Sequence, residues 1–120
     1  MYFAAAEFAC KCGIEGCSAP KAPHPSLLLK LEAMREIYGA PIVISSGLRC
    51  PAHNAKVGGT TGSEHLTGYG ADLACPNSGV RWRLVAAALK AGFQRIGVGK
   101  NFLHVGVSRT HDQDVIWTYY

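Results

Sequence analysis

Three side chains stand out for what they could do together. His65 and Asp72 lie seven positions apart on a path from a Gly-rich loop into a strand, and His104 sits near the middle of a later strand. They supply two imidazoles and one carboxylate. A catalytic zinc site takes three such nitrogen and oxygen ligands from the protein and leaves the fourth tetrahedral position to water or substrate. On spacing alone two descriptions stand: a metal triad, or a hydrogen-bonded packing histidine together with an aspartate that accepts N–H bonds from its own loop. Strand alternation puts Phe102, His104 and Gly106 on one face and Leu103, Val105 and Val107 on the other. His104 can then face a cleft over a buried apolar side, with room left beside it by Gly106.

The cysteines form a second set. Cys10, Cys12 and Cys17 fall in residues 9–25, a Cys-, Gly-, Pro- and Lys-rich lead-in with no helical or alternating period, and Cys50 and His53 follow as Cys-x2-His. One reading is a closed structural zinc site of three or four thiolates, with or without the His53 imidazole. The other is one or two disulfides, with Cys75 as a further partner, formed in an oxidising space. Five cysteines cannot all pair within one chain, which favours a reducing compartment at synthesis. A nucleic-acid zinc finger is disfavoured, because Cys-x-Cys spacing is poor for it and no basic recognition helix follows.

The elements that must position these groups fit one domain over residues 1–120. Hydrophobic residues are 48% and charged residues 17%, enough apolar material for a core. The net charge of +4 favours anionic surfaces without the dense basic run of a nucleic-acid binder. No apolar stretch approaches the ~20 residues of a membrane span. Met1 to Phe8 lacks a basic leader region, so the expectation is synthesis in the cytoplasm without a self-encoded export signal. Leu27, Leu28, Leu31, Met34 and Tyr38 recur at helical spacing between Pro25 and Gly39. A second helix is expected over 79–91, capped by Ser78 and stopped by Gly92, and a short one over 50–57. Strands are expected over 41–45, 71–74, 95–98, 102–107 and 115–119, with a long functional loop at 58–70. The fold class is a small α+β domain, a mixed or antiparallel sheet with the ligands on one face and two main helices on the other. The terminal Trp117-Thr118-Tyr119-Tyr120 either closes the sheet or lines a glycan groove, closure being the simpler role.

The wider pattern is Ser45-Ser46-Gly47-Leu48-Arg49, then Asn54 and Val57-Gly58-Gly59, then Ser63-Glu64-His65-Leu66-Thr67-Gly68-Tyr69-Gly70-Ala71-Asp72-Leu73, then Phe102-Leu103-His104-Val105. This resembles the zinc D-Ala-D-Ala carboxypeptidases and the hedgehog/DD-peptidase superfamily, over about Phe8 to Val107. Phe8-Ala9-Cys10-Lys11-Cys12-Gly13 is similar to small phage and prophage members. The resemblance implies that His65, Asp72 and His104 bind a catalytic Zn2+, that Arg49 serves a peptide carbonyl or carboxylate, and that Ser63 works near the metal or shapes the loop. It also implies zinc-dependent hydrolysis of amide bonds in peptidoglycan stem peptides at the bacterial cell wall, by a phage-encoded lysis enzyme or virion-associated part. Many relatives carry an acid three residues before the last histidine or two after it; this chain has Asn101 and Gly106 there. A general base must then come from elsewhere, and His111 leads Asp112 and Asp114 as the tail residue to fold back, while Glu64 is expected to point away from the ligand beside it. The alternative is a non-catalytic, zinc-containing wall-binding or virion structural module. No nucleic-acid partner is expected, and nothing in the sequence specifies an oligomeric state.

Overall fold

The computed structural model describes residues 1–120 as an α+β fold, a five-stranded mixed sheet with two long helices packed on one face. Helix α1 (Pro25–Tyr38) starts where proline needs no hydrogen-bond donor and His24 caps it, Nδ1 accepting from Ser26 N at 3.2 Å. It stops at Gly39, which takes the left-handed φ of 74°. Helix α2 (Pro51–Lys56) is short and capped by the Cys50 sulfur. Helix α3 (Ser78–Ala91) is capped by Asn77, not by Ser78 as the sequence suggested. The extended Asn77 brings its side-chain oxygen to 2.9 Å from Val80 N, and Ser78 becomes the first helical residue.

Strands β1 (Ile44–Ser46), β2 (Gly70–Ala74), β3 (Arg95–Val98), β4 (Phe102–Gly106) and β5 (Val115–Thr118) lie in the order β1-β2-β4-β3-β5. All neighbours are antiparallel except β3 and β5. The first strand is shorter than its β-branched run, beginning at Ile44 rather than Pro41, and the fourth ends at Gly106.

Register decides the rest. Asp72 pairs with His104, His104 with Gly97, and Gly97 with Trp117, so these four form one row across the sheet on one face. Gly70, Gly106 and Arg95 form the next row on that face. Ala71, Leu73, Leu103, Val105 and Ile96 point to the opposite face, where they are buried with Leu27, Leu31 and Met34 of α1 and Leu84 and Ala88 of α3. Each of the larger side chains contributes roughly 1.5–3 kcal/mol on burial. A one-residue slip would send the polar row into this core, so the apolar pattern that holds the helices also fixes the ligand row.

The amino terminus is tied in at one point. Phe8 is fully buried, and its carbonyl accepts from Leu48 N at 2.7 Å. A Cβ on Gly47 would sit 2.6 Å from Phe8 Cα and 2.7 Å from Phe8 O, both backbone atoms that cannot swing aside. Gly47→Ala is therefore expected to destabilise by about 1–3 kcal/mol, read as a lowered urea midpoint with unchanged slope. An unchanged midpoint would mean that this crossing is not as close as described.

Candidate metal centre

His65 is delivered by a single 3-10 turn, Glu64–Leu66, whose start is fixed by the Ser63 hydroxyl accepting from His65 N at 3.2 Å. Asp72 and His104 come from facing positions on β2 and β4. One ligand atom from each residue lies within 4.8 Å of the other two. His65 Nε2 is 3.2 Å and His104 Nδ1 2.9 Å from the same oxygen, Asp72 Oδ1. A tetrahedral ion with bonds of 2.0–2.1 Å separates its ligand atoms by about 3.3 Å, so the three donors need little movement to hold one.

The outer atom of every ligand is already engaged. His65 Nδ1–H donates to the Gly47 carbonyl at 2.6 Å, which leaves the Nε2 lone pair inward. His104 Nε2–H donates to Glu64 Oε1 at 2.9 Å, which leaves Nδ1 inward. Asp72 Oδ2 accepts from Arg49 Nη2 at 3.3 Å, which leaves Oδ1 inward. Outer partners of this kind set tautomer and ring orientation in metal sites. The donor chemistry, its convergence and the outer shell all fit a divalent zinc-like ion.

The electrostatics agree. Burial raises the Asp72 pKa, but hydrogen bonds from His104 and His65 outweigh it and hold the carboxyl well below the usual range. Burial lowers the His104 pKa, and its bonds to Asp72 and Glu64 more than reverse that. The two carboxylates thus favour the protonated form of His104, and a cation at its inward nitrogen competes with that proton.

Glu64 has a role that sequence reasoning did not give it. It does point away from its neighbour His65, yet into the centre: it is 3% exposed and its carboxylate serves His104 Nε2, Arg95 Nε at 3.1 Å and Ser108 N at 2.9 Å. The Arg95 contact is an ion pair without hydrogen-bond geometry, and Arg95 is anchored instead by Nη1 donating to Asp112 O at 2.6 Å. Space for Glu64 comes from two glycines: a Cβ on Gly106 would lie 2.1 Å from Glu64 Oε1, and one on Gly70 would lie 2.7 Å from Glu64 Cβ and from His104 Cε1.

The inward atoms open on a cleft of about 630 Å³ lined by Arg49, Ser63, Glu64, His65, Asp72 and His104, and also by Arg95, Phe102, His111, Trp117 and Tyr119. Arg49 is fixed by Nε to Ser46 Oγ at 3.1 Å and Nη1 to Asn54 Oδ1 at 3.2 Å. His111 does fold back to the cleft, Nε2 donating to Gly62 O at 2.7 Å and Nδ1 accepting from Ser108 Oγ at 2.8 Å. Asp112 and Asp114 do not join it: Asp114 binds Gln94, and Asp112 offers only its carbonyl to Arg95. The terminal aromatics both close the sheet and line the cleft, with the Trp117 ring 5.7 Å from that of His104. Gly97 makes this possible, since a Cβ there would lie 2.6 Å from Tyr119 and 2.7 Å from Trp117. Sequence reasoning did not single out Arg95, and it gave Trp117 and Tyr119 a groove-lining role only as the alternative to sheet closure; the glycines opposite them were the available signal.

Of the second set, the sulfurs of Cys10, Cys12, Cys17 and Cys50 converge. The His53 imidazole is not among them; His53 contributes its backbone N–H to Cys50 Sγ instead, because α2 begins at Pro51 and needs a cap. Cys75 is buried in the main core with its thiol directed to Asn77 O.

Comparison with known proteins matches residues 1–108 to the family described as Peptidase M15. The chain is also 40% identical over 68 residues to the zinc D-Ala-D-Ala carboxypeptidase of Streptomyces albus G, a match covering 56% of this chain and 26% of the relative. It thus spans about a quarter of the length of that curated relative. With the match running through nearly the whole chain and both strands of the ligand row, this protein belongs to the peptidase M15 family.

Proposed function

We propose that the chain is a zinc-dependent metallopeptidase that hydrolyses amide bonds in peptidoglycan stem peptides, as a D-alanyl-D-alanine carboxypeptidase or an endopeptidase. The observation that carries this reading is the set of three inward atoms on His65, Asp72 and His104, each with its outer atom already held by another group. The zinc D-Ala-D-Ala carboxypeptidase it resembles and its family support the substrate class. A zinc ion held there supplies Lewis acidity toward a carbonyl and activation of water.

The remaining work falls to the chain. A guanidinium has five N–H donors and Arg49 commits three, so two remain for a substrate carbonyl or carboxylate over the centre. Ser63 fixes the His65 turn and borders the cleft. His111 takes the proton-transfer role: by releasing Ser108 its Nδ1 becomes a free base in the cleft. Phe102, Trp117 and Tyr119 give the cleft an apolar wall against which a peptide is held away from water. The net charge of +4 suits action at an anionic bacterial wall, and the opening motif suits a phage-encoded or virion-associated enzyme.

A non-catalytic wall-binding or virion module is the second reading, favoured by one feature: the only carboxylates lining the cleft, Glu64 and Asp72, are both fully engaged. The two separate in one experiment. Zinc-loaded protein incubated with purified muropeptides is expected to release D-alanine or create new amine termini. Arg49→Lys is expected to lower kcat/KM by about 100-fold with zinc content unchanged, since charge stays and paired donation is lost. No new termini across the pH range would leave the binding module as the function.

A further inference from the structure

We propose that Cys10, Cys12, Cys17 and Cys50 form a second, closed metal site, a tetrathiolate zinc centre that pins the amino-terminal segment beneath the loop carrying Arg49. The four sulfurs lie within 4.8 Å of one another, and those of Cys10 and Cys50 are 3.9 Å apart. A zinc ion with Zn–S bonds of 2.3 Å holds its sulfurs about 3.8 Å apart at the corners of a tetrahedron. Disulfides would draw the sulfurs into two bonded pairs; here four free thiols share one centre.

Each sulfur also receives one backbone N–H: Cys50 N to Cys10 at 3.4 Å, Ile14 N to Cys12 at 3.3 Å, Ala19 N to Cys17 at 3.4 Å and His53 N to Cys50 at 3.5 Å. Four thiolates around a divalent ion carry a net charge of −2, and donors aimed at sulfur offset it. A neutral thiol has no comparable need for an N–H of its own.

The segment needs such a staple. Residues 9–22 include no buried side chain, and residues 10–23 form no backbone-to-backbone hydrogen bond. Only Ala19 of this stretch packs against the core, and no ladder holds it, yet its three cysteines meet a fourth that lies 33 positions beyond Cys17 in the sequence. The odd cysteine count resolves as four ligands and one core thiol, Cys75.

The consequence reaches the first centre. Cys50 directly follows Arg49, and Cys10 lies two residues after Phe8, whose carbonyl holds Leu48. The thiolate site therefore fixes both ends of the crossing that carries Gly47, the acceptor for His65, and Arg49, the donor to Asp72.

Zinc per chain and the spectrum of the cobalt-loaded protein test this independently of the proposed hydrolase. The full chain, purified under reducing conditions, is expected to bind one zinc in the cysteine cluster even as His65→Ala. Cobalt-loaded His65→Ala should show strong thiolate-to-cobalt charge-transfer absorption, weakened in the double variant with Cys17→Ser, which leaves three of the four thiolates. If Cys17→Ser does not fold, thiol labelling of His65→Ala replaces it: four thiols should resist a thiol reagent with zinc present and react after chelation. Absence of bound metal and of the charge-transfer band in folded His65→Ala overturns the site. So does a chain mass lower by four hydrogens, the mark of two disulfides. Loss of peptidase activity in His65→Ala bears on the first centre alone.

Discussion

Asp72→Ala is expected to weaken zinc binding at the His-Asp-His centre by more than about 100-fold, the upper end of what loss of a mere outer partner costs. The carboxylate is the only anionic ligand, and its Oδ1 is the atom on which both imidazoles converge. Its other oxygen holds Arg49, so the substitution frees the guanidinium as well. Two buried imidazoles alone form a weaker, neutral site open to water. Titration against a competing chelator reads the affinity directly, and His65→Ala or His104→Ala should move it in the same direction. Asp72→Asn separates charge from shape: it keeps an oxygen donor of similar size and should still lose most of the affinity. An unchanged dissociation constant in Asp72→Ala would mean that zinc binds elsewhere. Structural stability responds separately, because removing the carboxylate leaves Arg49 without its anion and His104 with Glu64 as its one remaining carboxylate; breaking a buried pair of this kind costs about 3–5 kcal/mol.

Much of this was legible in the chain because it depends on local periodicity. The 3.6-residue spacing of Leu27, Leu31 and Met34 marks α1, and Gly39 and Gly92 mark where the two long helices stop. The alternation in Phe102–Val107 separates His104 from Leu103 and Val105 without any knowledge of neighbouring strands. What was not legible depends on register between strands distant in sequence. That Trp117 lies beside His104 follows from β5 running parallel to β3 across Gly97, and no local pattern in Val115–Thr118 reports that pairing. The cap of α3 was misassigned by one residue because Asn77 and Ser78 are both good capping residues, and the backbone of Asn77 decides between them. Glu64 was left without a role for a related reason. Neighbours in a turn do diverge, but where the diverging side chain lands was set by the Gly70–Gly106 pair formed between β2 and β4.

That glycine pair makes Glu64 the subject of the second large effect. At position 106 the space that a side chain would occupy is filled by the Glu64 carboxylate. Glu64→Ala leaves His104 Nε2–H, Ser108 N–H and the Arg95 guanidinium without their anion in a buried setting. It is expected to cost about 3–5 kcal/mol of stability and to weaken zinc binding about 10- to 100-fold through loss of the outer partner of His104. Gly106→Asp in the presence of Glu64 is also expected to destabilise, since the new side chain meets a carboxylate both sterically and by like charge. The double variant Glu64→Ala/Gly106→Asp is expected to be better than either single variant in both denaturation midpoint and zinc affinity, because one carboxylate then again faces His104 and Arg95. A double-mutant cycle gives the coupling, which should exceed about 1 kcal/mol in the rescuing direction for residues in direct contact. Strictly additive losses would show that Glu64 is only a space-filling residue, and that His104 keeps its tautomer by some other contact.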